Sequence, residues 1–486
     1  MKVIYFFIAC LSAFALQAKP ITIKGKTNGK LPEVLRYSAP VNGVSGFDIY
    51  YSATVDAQGN FEIKTDINEI SFIDIFYNYI SAGNLAVTPG GRYNITLTEK
   101  DDKITHEITG THPAFAKLYD TLIPGYRVEL IHNLGNEGSK IESPDELKAF
   151  FDAKLKADLT ALKAAKPKTL SEKDFEMLVY EREYFYANAL SLALYSKYMM
   201  AKYDRTAAVS DTFSIVWKEV FTKYPADKAI VRKLPLGYWF LLSYEFFNTY
   251  EAAGFDGKKI PENQDKTTEQ RLKSRLLYIP AQNAEYYLAL VQHFNVNEGR
   301  LEKYALDDYY AFKKYYPKST YTKYLEPEMQ PLISFFNRNE ALPDGASYVE
   351  GYEKANSLEE LLKKIPGKKL YVDVWATWCH SCRDEFKYKE ALYKLLAKDD
   401  IAVLYISVDK DSHDEGWKKM IGHYGLKGYH IRVNKTLYKN LSDAFSNGGG
   451  LALPWYFLVN NKGEIAVKYA APPSDLEKLK TQLGAL

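Results

Sequence analysis

The sequence predicts a multidomain protein with an N-terminal antiparallel β domain, a central all-α domain and a C-terminal α/β domain. Three observations carry this. A chain of 486 residues has room for about three domains of roughly 100–200 residues each. Its hydrophobic spacing changes from period two to a helical period near Thr111. After Ser357 the order becomes helix, strand, helix, strand, then helices, a closing strand pair and a last helix, which describes one mixed sheet with helices on both faces.

Lys and Arg total 63 against 61 Asp and Glu, a formal charge of +2, so no excess of either sign points to nucleic acid or an anionic surface as the partner. With 47% hydrophobic and 26% charged residues the composition is that of a folded chain, and its 40 tyrosines call for broad packed or binding faces.

Residues 1–18, MKVIYFFIACLSAFALQA, set Lys2 before an apolar run from Val3 to Leu16 and a small residue, Ala18, before Lys19. This is the layout of a cleaved secretory signal peptide. The run falls short of the about 20 apolar residues that a membrane-spanning helix needs. Phe7-Ile8-Ala9 makes a poor lipobox, so a lipoprotein anchored through Cys10 is the less favoured reading. Removing residues 1–18 leaves Cys379 and Cys382 as the only cysteines of an exported chain. Any thiol chemistry then runs through that pair, with no third cysteine to relay electrons.

Residues 19–110 read as strands: Ile21-Thr22-Ile23, Phe47 to Val55, Phe61-Glu62-Ile63, Ile70 to Tyr77 and Tyr93 to Leu97, with turns at Asp56 to Asn60 and Pro89-Gly90-Gly91. No His or Cys cluster and no carboxylate pair marks a reaction centre there. Residues 111–340 are helical. Leu147, Phe151, Leu155, Leu159 and Leu162 follow Ser143-Pro144, with Glu146 at capping-box spacing, and a second long helix starts at Ser171. Tyrosines crowd this region, among them Tyr238, Tyr250, Tyr309, Tyr310 and Tyr315; at helical spacing they are expected in the core rather than along a ligand groove.

Residues 341–356, with Pro343-Asp344-Gly345, read as a linker to the last domain, residues 357–486. Its expected elements are a helix from Leu358 to Lys364, a strand from Lys369 to Trp375, a helix from Cys379, a strand from Ile401 to Val408 and helices over Glu415 to Tyr424 and Tyr438 to Phe445. Strands Trp455 to Asn460 and Glu464 to Tyr469 pair across Asn461-Lys462-Gly463, and a helix capped by Ser474 closes the chain.

The decisive segment is Val372-Asp373-Val374-Trp375-Ala376-Thr377-Trp378-Cys379-His380-Ser381-Cys382. A CxxC pair also occurs in zinc sites, but zinc needs two more ligands, here two histidines from among His413, His423, His430 and others. A strand-to-helix junction suits a redox pair better. The helix start stabilises negative charge on the first sulfur, making Cys379 the nucleophile. Nearly one turn on, Cys382 is placed to attack the mixed disulfide and release the substrate.

The segment VDVWATWCHSC resembles the thioredoxin active site. With the exported context and the continuation Cys382-Arg383-Asp384-Glu385, the region from about Ser357 to the C-terminus is most similar to TlpA- and ResA-like thiol-disulfide oxidoreductases. The resemblance implies a thioredoxin-like fold for residues 357–486. It implies that Asp373, six positions before Cys379, is buried beneath the pair and assists proton transfer at Cys382. It also implies a cis-proline at Pro454, in Leu453-Pro454-Trp455, which leaves the Leu453 backbone free to pair with an extended substrate and sets a non-ligating residue beside the cysteines. Trp378, with Leu453, is expected at the substrate side, and the Trp375 and Trp378 rings are both expected to pack around the site without a chemical role of their own.

Departures from the pattern are Ser381 and Lys387, where thioredoxin-like enzymes usually carry prolines. His380 and Ser381 are therefore the redox-tuning candidates: a protonated His380 would stabilise the Cys379 thiolate and make the disulfide more oxidising. Arg383 and Glu385 are expected on a solvated helix face. A peroxiredoxin-like site would need Thr three residues before the reactive cysteine and a Pro upstream, whereas Thr377 is two before and the Pro is missing.

The function expected is that of an exported, periplasmic thiol-disulfide oxidoreductase, a reductase of disulfides in periplasmic proteins. It would use no metal and no cofactor beyond the redox-active disulfide Cys379–Cys382. Its partners would be protein thiols and disulfides and a membrane electron-donor protein. The competing reading is a periplasmic binding or interaction protein whose thioredoxin-like domain is a docking or regulatory module; the retained CxxC and the acid at 373 favour the enzyme.

Overall fold

The computed structural model describes residues 19–47, 51–101, 103–203, 209–260, 266–297, 301–338, 341–446 and 450–486. The predicted signal peptide, residues 1–18, and Cys10 within it lie outside the described residues. The chain forms two compact units, Met1–Pro261 with Ser274–Leu290, and Glu262–Lys273 with Val291–Leu486.

The first unit opens with β1 (Lys19–Asn28), β2 (Leu35–Tyr37), β3 (Tyr51–Ala53), β4 (Asn60–Ile67), β5 (Ser71–Tyr77), β6 (Ile80–Val87), β7 (Arg92–Lys100) and β8 (Lys103–Gly110). They form two four-stranded sheets, ordered β4-β1-β7-β8 and β3-β2-β5-β6. Pairing is antiparallel except between β1 and β7, where Ile23 sits beside Tyr93 in parallel register. Alternate residues Ile21, Ile23, Ile63, Ile73, Ile75, Ile95 and Leu97 are fully buried, the period-two pattern of strands facing a core. At the turn before β4, Asp56 Oδ1 accepts the Gln58 and Asn60 backbone N–H groups at 2.9 and 2.8 Å, and Gly59 takes a φ of +84° that a side chain would strain.

The helices follow in order: α1 (Pro113–Thr121), α2 (Arg127–Ser139), α3 (Pro144–Ala165), α4 (Glu172–Tyr203), α5 (Thr212–Lys223), α6 (Gly237–Ala252), α7 (Thr268–Tyr278), α8 (Ala281–Asn297), α9 (Lys303–Tyr315) and α10 (Thr322–Asn337). The capping signals act where expected. Glu146 N–H donates to Ser143 Oγ at 3.3 Å and Asp174 N–H to Ser171 Oγ at 3.1 Å. Tyr238, Tyr250 and Tyr309 are core residues, whereas Tyr310 and Tyr315 are exposed. Arg127 of α2, buried, bonds Asp74 of β5 at 2.9 Å and Glu181 of α4 at 3.3 Å, and Glu181 pairs with buried Arg182 at 2.6 Å. Each charge has a partner, which a buried ion needs to avoid the cost of standing alone.

The C-terminal part of the second unit contains β9 (Ala346–Tyr348), α11 (Leu358–Leu362), β10 (Lys369–Trp375), α12 (His380–Glu385), α13 (Lys389–Leu396), β11 (Ile401–Ser407), α14 (Asp414–Tyr424), β12 (Gly428–Arg432), α15 (Lys435–Ser446), β13 (Trp455–Val459), β14 (Ile465–Val467) and α16 (Leu476–Leu483). The sheet order is β14-β13-β10-β11-β12-β9, with β10, β11, β12 and β9 mutually parallel and β13 and β14 antiparallel. From Leu370 to Trp375 every residue of the central β10 is buried, as in a strand covered on both faces. This is a thioredoxin-like α/β arrangement.

Two local expectations change, and one departure is resolved. Within the segment read as a linker, Ala346–Tyr348 is the edge strand β9, because Gly428–Arg432 forms a strand for it to pair with. The last helix is capped by Asp475, which accepts the Lys478 N–H at 3.2 Å, while Ser474 donates its N–H and its hydroxyl to Glu385, both at 2.9 Å. Between α12 and α13 the helix tightens to a 3-10 turn at Phe386–Tyr388, so the break at Lys387 occurs without a proline.

Candidate functional site

Strand β10 delivers the site from beneath. Its parallel register sets Asp373 beside Tyr405 of β11, and its antiparallel register sets Asp373 beside Tyr456 of β13, so the carboxyl shares one sheet face with two buried tyrosines. Asp373 is 2% exposed, and its Oδ1 has no hydrogen-bond partner among the described residues. Burial, with the like charge of Glu385 as a second cause, lifts its carboxyl well above the ordinary carboxylate value.

Beyond Trp375 the chain turns into α12 with Cys379 as the N-cap residue. Cys379 Sγ accepts the Cys382 N–H at 3.1 Å, and the two sulfurs form a disulfide. Cys379 is 5% and Cys382 1% exposed. Ser381 Oγ lies 3.5 Å from Cys379 Sγ, so Ser381 touches the sulfur. His380 does not: its side chain is exposed, with Nε2 3.4 Å from Asp384 Oδ2 and Nδ1 3.4 Å from Arg383 Nη2.

Val374 pairs with Trp455, which sets Leu453 and Pro454 at the end of the sheet where β10 exits toward Cys379. The Leu453–Pro454 peptide is cis, and both residues are half-buried. Trp378 is 47% exposed, whereas Trp375 is fully buried with its ring edge-on to Phe386 at 5.2 Å. Arg383 departs from its expected solvated face and is buried, and Glu385 is half-buried under its two bonds from Ser474.

One residue of the site escaped the sequence reading. Asp409, just after β11 and 1% exposed, accepts the Thr377 N–H at 2.9 Å, the Thr377 hydroxyl at 2.7 Å and the Ser407 hydroxyl at 2.8 Å. Burial pushes its carboxyl up, while these donors and nearby His413 pull it back down in part. The signal available was position: in open α/β sheets, functional groups gather at the carboxyl ends of the strands, and Asp409 follows the strand next to β10.

His430, one of the histidines open to a zinc reading, is fully buried in β12 and stacked on Tyr405 at 5.0 Å, with Nε2 3.0 Å from the Leu426 carbonyl oxygen; burial pushes it down to about 4. Among the described residues no group of three or more His, Cys, Asp or Glu is placed to hold a metal ion, and no helix is long and apolar enough to cross a membrane.

Comparison with known proteins matches residues 339–483 to the Redoxin family model. The chain is 28% identical over 104 residues to the thiol-disulfide oxidoreductase ResA of Bacillus thuringiensis (strain Al Hakam), a match covering 21% of this chain and 56% of that protein. It is 26% identical over 115 residues to ResA of Bacillus subtilis (strain 168), covering 23% and 59%. It therefore spans a little over half the length of these curated relatives. A crystal structure of the thioredoxin domain of a thiol-disulfide oxidoreductase from Bacteroides vulgatus is 23% identical, covering 25% of this chain and 81% of that one, at a TM-score of 0.21. Residues 339–483 thus match the Redoxin family model, and the six-stranded sheet found within that stretch has the thioredoxin-like order.

Proposed function

We propose that this protein is an exported thiol-disulfide oxidoreductase that reduces disulfides in periplasmic proteins through Cys379 and Cys382. The observation that carries the reading is the Cys379–Cys382 disulfide at the start of α12, with the Cys382 N–H directed at Cys379 Sγ, beyond a strand bearing the buried Asp373, whose Oδ1 has no hydrogen-bond partner among the described residues. A backbone N–H and a helix start both favour negative charge on Cys379 sulfur in the reduced state.

In the reaction the Cys379 thiolate attacks one sulfur of the substrate disulfide. The substrate S–S bond breaks, its second sulfur leaves as a thiolate, and a mixed disulfide joins Cys379 to the substrate. Cys382 then gives its proton to Asp373 and attacks Cys379 Sγ, so the substrate leaves fully reduced and the enzyme holds the Cys379–Cys382 disulfide. A carboxyl lifted by burial is a better proton acceptor than an ordinary carboxylate, which suits it to exchanging a proton with a thiol. Leu453, ahead of the cis-proline, offers its backbone to an extended substrate segment, and exposed Trp378 offers an apolar face beside it. Ser381 tunes the Cys379 sulfur by contact, and His380 acts by charge when protonated. Two electrons from a membrane donor's thiols restore the dithiol.

The test is dithiothreitol-driven reduction of a disulfide-bonded protein, with and without the chain lacking residues 1–18. The reading predicts faster reduction with the chain present. Equal rates contradict it.

A further inference from the structure

The loop that carries Cys379 is pinned at its root by a residue thirty positions downstream. Asp409 spends both carboxylate oxygens there: Oδ2 on the Thr377 N–H and the Ser407 hydroxyl, and Oδ1 on the Thr377 hydroxyl. Its own N–H donates to Ser407 Oγ at 3.1 Å, which fixes the carboxylate's approach. Neighbouring backbone bonds act with it. Val408 N–H donates to Trp375 O at 2.9 Å, and Cys379 N–H donates to Ala376 O at 3.1 Å. Between Trp375 and Cys379, Ala376 and Thr377 are buried and Trp378 is exposed.

Asp409 is a costly choice if its role is packing alone. A buried carboxylate must replace its hydration with hydrogen bonds, whereas a neutral amide closes the loop with one acceptor oxygen in place of two at a smaller desolvation cost. Thr377 is two residues before Cys379, so the Asp409 carboxylate is bonded to the backbone two residues ahead of the reactive sulfur's own residue.

We infer that Asp409 is a positioning residue for thiol-disulfide exchange: its carboxylate fixes the loop that presents Cys379 and holds a negative charge at the root of that loop. The inference rests on the reaction proposed above. A fixed anion near the site opposes a second negative charge on Cys379 sulfur in the reduced state, and so favours the disulfide. The clamp and the charge act on different quantities. The clamp governs the rate at which Cys379 attacks, and the charge governs the equilibrium between dithiol and disulfide.

Two near-isosteric variants separate them. Asp409→Asn removes the charge and weakens the clamp, because one amide oxygen replaces two carboxylate oxygens. It is expected to shift the equilibrium against a reference thiol by about threefold toward the dithiol and to slow attack on a protein disulfide. Thr377→Val keeps the charge and removes one clamp bond, so attack slows while the equilibrium constant stays at the wild-type value. A role confined to folding would lower the melting temperature of Asp409→Asn and leave its equilibrium constant unchanged, which overturns the inference. Should Asp409→Asn fail to fold, Thr377→Val decides alone, and a wild-type attack rate overturns the clamp. If the wild-type chain forms no reversible disulfide, the proposed reaction has failed instead.

Discussion

Cys379→Ala is expected to abolish reduction of protein disulfides, and Cys382→Ala to stall the reaction at a mixed disulfide. The asymmetry follows from position. Cys379 caps α12 and receives the Cys382 N–H, so its sulfur is where negative charge is stabilised in the reduced protein. Without it there is no nucleophile at the helix start, and turnover falls to the uncatalysed rate. Cys382 is the more deeply buried sulfur, at 1% exposure, and its partner for exchange is Cys379. Its loss leaves attack intact and removes release. Incubating each variant with an oxidised protein substrate and separating the products without reductant reads both outcomes. A covalent adduct should accumulate with Cys382→Ala and be absent with Cys379→Ala. Full turnover in either variant contradicts the assignment.

Asp373→Asn carries the second large effect, in rate and in stability with opposite signs. Asn cannot take the Cys382 proton, so release of the mixed disulfide at neutral pH should slow by about a hundredfold, the usual scale of a positioned acid or base. Stability should move the other way. Burial lifts the Asp373 carboxyl above its unfolded value, so between the two values the native state holds a proton that the unfolded chain has lost. Its contribution is present below the unfolded value and is lost as pH rises through the lifted native value. Asp373→Asn removes that loss. In denaturant titrations of the oxidised chain it should match wild type near pH 4 and exceed it as pH rises, whereas a constant difference across pH would contradict the burial argument.

What could be read from the sequence follows from how local each signal is. Strand β10 is a short run, apolar apart from Lys369 and Asp373, at a CxxC junction, and its limits Lys369 and Trp375 were readable without tertiary information. The capping serines at 143 and 171 act within three residues and were readable for the same reason. Strands β6 and β8 were not. β6, ISAGNLAV, carries small residues and Gly83 and exists through its pairing with β5, while β8 alternates largely exposed polar residues at a sheet edge. Gly428–Arg432 is a strand because His430 is buried against Tyr405, a contact that no local pattern announces. In the site, the cysteines and Asp373 lie in one short segment, and Pro454 was placed by resemblance. Asp409 needs the adjacency of two parallel strands before its bonds to Thr377 have any meaning.

The central claim is that Cys379 and Cys382 form one reversible two-electron couple on the reducing side. The direct measurement equilibrates the chain lacking residues 1–18 across a series of thiol–disulfide buffers, alkylates free thiols and counts modified cysteines by mass. The account predicts that both cysteines appear and disappear together, with a midpoint near thioredoxin's value of about −270 mV. A midpoint near about −120 mV would contradict the reductase assignment, and failure to form any reversible disulfide would contradict the account as a whole.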